Sequence, residues 1–301
     1  LERGERVVIL DNLSTAPREG VLPGATFYEG NVGDVSMLDK VFAAERIKAV
    51  LHFAASLVVP ESVTNPVKYY SNNTLNTLVL AEALVRHGVK HLVFSSSAAT
   101  YGQPDRVPVN ESAPLRPESP YGASKAMSER MIQDICTAHG LGAILLRYFN
   151  VAGADPKGRQ GQRSKTAWQL IKVACEVVVG KRSEMVVHGT DYPTADGTCV
   201  RDYIHVEDLA DAHLMALDYL SSGRGAGVGL PLNCGYGHGS SVSEVVATVK
   251  RVSGLDFKVT HGPRRPGDPA EVVADAEKIR ALLGWRPKFD DLEAICSHAL
   301  A

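Results

Sequence analysis

Four short apolar runs recur through the first half of the chain, at residues 7–11 (VVILD), 49–55 (AVLHFAA), 91–97 (HLVFSSS) and 143–149 (AILLRYF). Each has the length of a strand and the Val, Ile, Leu and Phe content of a strand buried on both faces. Between them lie SMLDKVFAAER, NTLNTLVLAEALVRHG and ASKAMSERMIQDICTAHG, whose apolar residues fall three and four apart and predict amphipathic helices. Val35 and Ser36 supply a helix start, and Gly88 and Gly140 supply stops. Strands joined by helices of this length pair in parallel, with the crossovers packed on the sheet. The alternation therefore predicts an α/β fold built on a doubly wound parallel sheet.

After Asn150 the texture changes. Loops lengthen, Gly and Pro become frequent, and the elements are expected to be shorter and less regular. SVSEVVATVKRVSG and ADAEKIRALLGW still read as helices. The expected organisation is a larger unit over residues 1–150 and a smaller lobe over 151–301, with the chain crossing back to the sheet. No repeat or low-complexity linker divides them.

The run VVILD ends in Asp11, a carboxylate at the C-terminal edge of a strand. In a dinucleotide-binding unit such a residue accepts hydrogen bonds from an adenosine ribose, about 20 residues after a glycine-rich turn that cradles phosphates. Here only ten residues precede it, and they hold one glycine. On one reading VVILD is a second strand, LERGE is the tail of a first helix, and the phosphate turn lies upstream of Leu1. On the other, VVILD is an ordinary first strand and its Asp is fortuitous. The last residues, LEAICSHALA, read as part of a helix.

Hydrophobic residues are 45% and charged residues 22%, ordinary globular usage, so a disordered or fibrous chain is excluded. The net charge of −2 is spread along the sequence, and no basic block or polybasic stretch points to nucleic acid or a membrane surface. No apolar run reaches the ~18 residues of a membrane span. Cys136, Cys175, Cys199, Cys234 and Cys296 are odd in number and scattered, and the ten histidines show no ligand spacing. Zinc and a disulfide framework are not expected, and a reducing cytoplasm is. The expected partner is a small molecule.

Chemistry concentrates in SPYGASK, where Tyr121 stands four residues before Lys125, one turn apart on a helix face. A phenol of pKa near 10 is a poor base at neutral pH, and a nearby ammonium draws it toward the working range. Tyr121 then takes a proton from a hydroxyl while Lys125 holds a cofactor ribose; a solvated surface pair is the alternative. Ser97 ends the third run, where hydroxyls point into the ligand crevice of a parallel sheet, and can bond the same oxygen. Ser, Tyr and Lys behind an Asp-ended strand are what hydride transfer at a carbinol needs. Asn31 suits an adenine edge or a turn. Asn72 and Asn73 fall inside an expected helix, where Asn is mildly unfavourable. Arg201, Arg264 and Arg265 suit phosphates or surface ion pairs. VEDLADAH reads as a helix start rather than a catalytic carboxylate pair.

The runs SSSAATYG, SPYGASK, RYFNVAGADP and GTDYPTADGTCVRDYIHVEDLADAH resemble the UDP-glucose (UDP-galactose) 4-epimerase family of extended short-chain dehydrogenase/reductases, over essentially the whole chain. The resemblance implies a Rossmann-type domain, a tightly held NAD that is not consumed, and a UDP-sugar substrate. UDP-galactose and UDP-glucose would interconvert through a 4-keto sugar, with Tyr121 as the base, Ser97 on the 4-oxygen and Lys125 on the nicotinamide ribose. Asp11 and Asn12 would hold the adenosine ribose, with Asn31 and Val32 beside adenine. Phe53, Ala54, Ala55, Asn72 and Tyr148 would line the rest of the cofactor path. Phe149, Asn150, the backbone around Val187 and His188, Arg201, Arg265, Asp268 and Val272 would face the UDP-sugar. The family also implies a homodimer and a G-x-x-G-x-x-G turn on a strand before Asp11. Without that turn the expectation is weak NAD binding.

Some positions depart from the family pattern. Leu57 stands where many relatives carry Lys, and Asn31 where they carry Asp. An Asn expected near Thr166 is absent, with Gln169 at another substrate-lining place. Val272 matches a position whose bulk limits an N-acetyl group. Related 4-epimerases acting on UDP-N-acetylhexosamine, UDP-glucuronate or UDP-pentose are the alternatives, together with a nucleotide-sugar-binding protein lacking catalysis.

Overall fold

The computed structural model describes residues 1–164, 166, 168–265 and 267–301. The apolar runs are strands: β1 (Val8–Asp11), β3 (Ala49–His52), β4 (His91–Ser97) and β5 (Gly142–Tyr148), with β2 (Thr26–Glu29) between the first two in sequence. β10 (Gly229–Cys234), from the second half, pairs with β5, and the parallel order is β10-β5-β4-β3. β1 and β2 pair in parallel as a separate ladder. The one continuous sheet expected is thus two in its hydrogen bonding. They meet through side chains, Leu10 of β1 and Val50 of β3 both packing around Leu38, Leu80 and Ala83.

Both faces of β4 and β5 are covered, which explains their unbroken apolar character. Leu92, Phe94, Ala143 and Leu145 pack with Leu84, Ile132 and Cys136 on one side. Val93, Ile144 and Leu146 pack with Ile171, Leu209, Val245, Trp285 and Ile295 on the other. Helices α1 (Val35–Ala44), α2 (Val59–Thr64), α3 (Pro66–Tyr69), α4 (Asn76–Arg86) and α5 (Pro120–His139) belong to the first half. The second half has α6 (Leu170–Val178), α7 (Val206–Ser221), α8 (Val242–Ser253), α9 (Glu277–Leu283) and α10 (Leu292–Leu300).

Three local expectations need correction. α1 is capped by Asp34, whose carboxylate accepts from Ser36 and Met37 N–H, so the start signal is one residue earlier than Val35. The run 49–55 is a strand only to His52, and Phe53 and Ala54 emerge exposed at the sheet's edge. The stretch around Asn72 and Asn73 is a π-helical turn, Tyr70–Leu75, before α4 begins. Buried Asn73 explains it, because its amide is spent on other segments rather than on helix geometry.

Among the described residues four short pairings shape the second half, besides β10 on β5: β6 (Asn150–Ala152) with β9 (Tyr203–His205), β7 (Met185–His188) with β12 (Val259–Gly262), and β8 (Val200–Arg201) with both β11 (Ser240–Ser241) and β13 (Glu271–Val272). The loops lengthen as expected, yet α7 is a full 16-residue helix packed on β4 and β5. The core crosses residue 150 without a break.

Candidate functional site

The first turn of α5 packs against the segment that leaves β4. Ser119 caps the helix, its hydroxyl accepting from Gly122 N–H (3.2 Å), and Pro120 occupies the first turn, where its missing N–H costs nothing. A Cβ on Gly122 would lie 2.4 Å from the Ala99 carbonyl, so glycine lets the helix start press against the chain leaving β4. The helix stops at Gly140 in the left-handed conformation (φ 69°).

That close approach brings Tyr121 and Lys125 to Ser97. The Tyr121 phenol is partly buried. Protein packed around its hydroxyl raises its pKa above the ordinary value, and a hydrogen bond with Ser97 opposes that rise. Lys125 is buried, its Nζ donating to the Ser95 carbonyl (2.7 Å) and lying 4.8 Å from the Phe94 ring centre. Burial lowers its pKa to about 7, against the charge of Glu129. The ammonium expected to draw Tyr121 downward does not act on it in this arrangement; desolvation governs the phenol. Tyr69, wholly buried, stands edge-on to the Tyr121 ring at 6.3 Å and 86°. Its own hydroxyl donates to the Val58 carbonyl (2.6 Å).

The neighbouring residues are tied to this pair by amides. Asn73 Oδ1 accepts from Ser56 N–H (2.7 Å), and its Nδ2 donates to Ser124 Oγ (3.0 Å), which in turn donates to the Tyr121 carbonyl (2.7 Å). Asn72 donates to Ser56 Oγ (3.0 Å) and accepts from Asn76 (3.2 Å), whose Nδ2 also reaches Asn31 Oδ1 (3.1 Å). Asn31 is thereby linked to the same network, with Val32 beside it. Tyr148 closes β5 opposite Ser97, and its hydroxyl is bonded to His213 Nε2, with the Phe53 ring 4.8 Å from that imidazole. Ala54 and Ala55 follow Phe53 at the same edge.

Asp11 and Asn12 stand exposed at the end of β1. Asp11 Oδ1 accepts from Leu13 N–H (2.7 Å), and Leu13 takes the left-handed conformation (φ 55°) that a branched side chain rarely adopts. This tight turn leaves the second carboxylate oxygen free of protein partners among the described residues.

The second group gathers on β8 and β13, where Val272 is the register partner of Arg201. Arg201 donates to the Val200 carbonyl (2.9 Å) and lies 3.9 Å from Asp268. The Phe149 ring packs with Val272, Tyr101 and Val109, which joins this group to the end of β5. The Asn150 side chain is exposed, while its N–H donates to the Asp202 carbonyl (2.8 Å). Val187 turns its side chain into the core, so only its backbone is open to a ligand, and His188 is half-buried. Arg265 is exposed. Arg264 is exposed as well, but it pairs with Asp191 (2.7 Å) and stacks on Tyr192, contacts that engage its guanidinium. Gln169 accepts from Gln162 (2.8 Å).

A family model described as the NAD dependent epimerase/dehydratase family matches residues 1–235. The chain belongs to that family. It is 52% identical over 300 residues to a UDP-glucose 4-epimerase of Azospirillum brasilense, covering 100% of this chain and 85% of the other. The structure of UDP-glucose 4-epimerase from Brucella ovis in complex with NAD superposes with a TM-score of 0.95 at 39% identity, covering 99% and 91% of the two chains. That of Bifidobacterium longum UDP-glucose 4-epimerase in complex with NAD+ and UDP superposes at 0.94 with 37% identity, covering 99% and 90%.

The residues fit NAD at two ends. Among the described residues Lys125 Nζ has the Ser95 carbonyl as its one acceptor, and its remaining N–H groups suit ribose hydroxyls. At the other end Asp11 presents a free carboxylate oxygen of the kind that takes a ribose diol. No G-x-x-G-x-x-G turn for the pyrophosphate occurs among the 301 residues. Sequence reasoning missed Glu129, Arg147, Tyr69 and His213. Glu129 had a signal, because Tyr121, Lys125 and Glu129 repeat at four-residue spacing on one helix face.

Proposed function

We propose that the chain is an NAD-dependent UDP-glucose 4-epimerase that interconverts UDP-galactose and UDP-glucose. The carrying observation is the set Ser97, Tyr121 and Lys125, brought together at the C-terminal edge of a parallel sheet and braced by buried hydrogen bonds. NAD, when bound, supplies the hydride acceptor and donor at the sugar carbon.

Everything else falls to the protein. Tyr121 takes the proton of the sugar 4-hydroxyl and later returns it. Ser97, already bonded to the phenol, orients that oxygen. Lys125 would donate to the nicotinamide ribose through the N–H groups that the Ser95 carbonyl leaves over. Asp11 and Asn12 hold the adenosine ribose, and Asn31 with Val32 meets adenine. Phe53, Ala54, Ala55, Asn72 and Tyr148 line the path between. Arg201, Arg265 and Asp268 hold the diphosphate and uridine, beside Phe149, Asn150 and the backbone at 187–188. Inversion requires that the sugar present both faces to one Tyr121–Ser97 pair, so the grip belongs on the nucleotide and not on the hexose.

The division of labour follows: residues 1–150 carry the cofactor and 151–301 the nucleotide sugar. The protein acts in the cytoplasm, which five unpaired buried cysteines suit. It works as a homodimer. Tyr70, Leu75, Leu78, Met127 and Met131 form one apolar face on the π turn, α4 and α5, of the kind a second copy covers. The test is incubation of the full chain and NAD with UDP-galactose, UDP-N-acetylgalactosamine and UDP-xylose in turn, reading the anomeric protons by NMR. UDP-galactose is expected to turn over fastest; turnover confined to either of the others would overturn the substrate assignment.

A further inference from the structure

Behind the Tyr121–Lys125 pair lies a second cluster that this chemistry does not use. Tyr121, Lys125 and Glu129 stand four residues apart on the inner face of α5. Glu129 Oε1 accepts from the Ser96 hydroxyl (2.5 Å) and Arg147 Nε (2.9 Å), and Oε2 accepts from Arg147 Nη2 (2.6 Å). Arg147 Nη1 donates to the Tyr101 hydroxyl (2.8 Å), which donates to Asn233 Oδ1 (2.7 Å). One carboxylate thus ties α5 to β4 and, through Arg147, to β5 and β10. Lys125, Glu129 and Arg147 are only 3%, 1% and 3% exposed.

A buried ion pair is poor value as a brace, because removing two charges from water offsets most of their attraction. A charged Glu129 therefore calls for another use, and Lys125 is the second cation beside it. The groups around Lys125 are Tyr121 and Glu129 on α5, His52 on β3, and the Ser95 carbonyl and Phe94 ring on β4; on β5, Arg147 is paired with Glu129 and Tyr148 stands by Ser95. Among these the one anion is Glu129.

We propose that Glu129 is a positioning residue for the site, the counter-charge that keeps the Lys125 amine an ammonium aimed at the end of β4. The inference rests on reading Tyr121 and Lys125 as the working pair. The opposition between burial and the Glu129 charge at Lys125 agrees with it.

The test titrates Lys125 directly in the full chain, labelled with ε-13C lysine, without substrate or NAD. Its signal is assigned as the one lost in K125M. E129Q is expected to lower the Lys125 midpoint by about 0.5 pH unit or more, a roughly threefold change in proton affinity. E129Q leaves Arg147 unpaired and can cost the fold, so E129Q/R147M is also compared with R147M, a pair that differs only in the Glu129 charge, with the same expectation. In whichever comparison folds, a midpoint within about 0.2 unit of its reference (the parent for E129Q, R147M for the double variant) overturns the inference and leaves Glu129 a structural brace. If turnover is measurable, the alkaline limb of its pH profile is expected to move down with the midpoint. Absence of turnover in the parent chain counts against the epimerase reading and leaves the titration result standing.

Discussion

Acidification from pH 7 to about pH 5.5 is expected to remove about 4 kcal/mol of folding stability, because three imidazoles are buried in neutral form. His52 Nε2 meets the Thr77 hydroxyl (3.0 Å), and burial, then the Lys125 charge, lowers its pKa to about 3. His213 bonds the Leu209 carbonyl through Nδ1 (2.8 Å), and burial lowers it to about 4. His205 is lowered to about 4 by burial and then by His298, 3.1 Å from its Nε2. In each case the folded pKa lies below the unfolded value of about 6.5, so the unfolded chain takes up protons first. The stability these groups lend is complete above that value and drains as the pH falls toward the folded ones. Over this window each accounts for about 1.2 kcal/mol, hence about 4 together. Asp202 and Glu207, whose carboxyls are raised by burial, work in the opposite sense. Urea melts followed by far-UV circular dichroism at three pH values across the window measure the slope, and H52L should lower it by about a third. A stability flat across the window would refute the argument.

Three other outcomes follow from the same packing. N73A takes the acceptor from Ser56 N–H and one donor from the Ser124 hydroxyl, which keeps its bond to the Tyr121 carbonyl, and is expected to cost about 1–3 kcal/mol, read as a lower urea midpoint at unchanged slope. L78E places a charge on the apolar face of α4 and is expected to convert a dimer to monomer by analytical ultracentrifugation; an unchanged sedimentation coefficient would count against that face. V272Y enlarges a buried side chain beside Arg201, and it should lower kcat/KM for UDP-N-acetylgalactosamine about tenfold more than for UDP-galactose.

The strands of the inner sheet were legible because both of their faces are buried, which forces continuous Val, Leu and Ile. Tyr121 and Lys125 were legible because helix spacing fixes their shared face. Their electrostatics were not: whether an ammonium or burial governs Tyr121 depends on where Nζ points, and it points to the Ser95 carbonyl. Asn72 and Asn73 looked out of place in a helix, and the π turn supplies the reason, since their amides bridge segments distant in sequence. Arg264 and Arg265 are adjacent, identical in type and both exposed, yet Asp191 and Tyr192 engage the first. No local pattern carries that distinction.

The most direct test of the central claim compares the parent chain with Y121F, each supplied with saturating NAD, for conversion of UDP-galactose to UDP-glucose by NMR. The expected result is approach to the same mixture from either sugar by the parent chain, and a rate about 10²–10⁴-fold lower in a Y121F protein that still melts normally. No conversion by the parent chain, or a Y121F rate equal to it, would contradict the account.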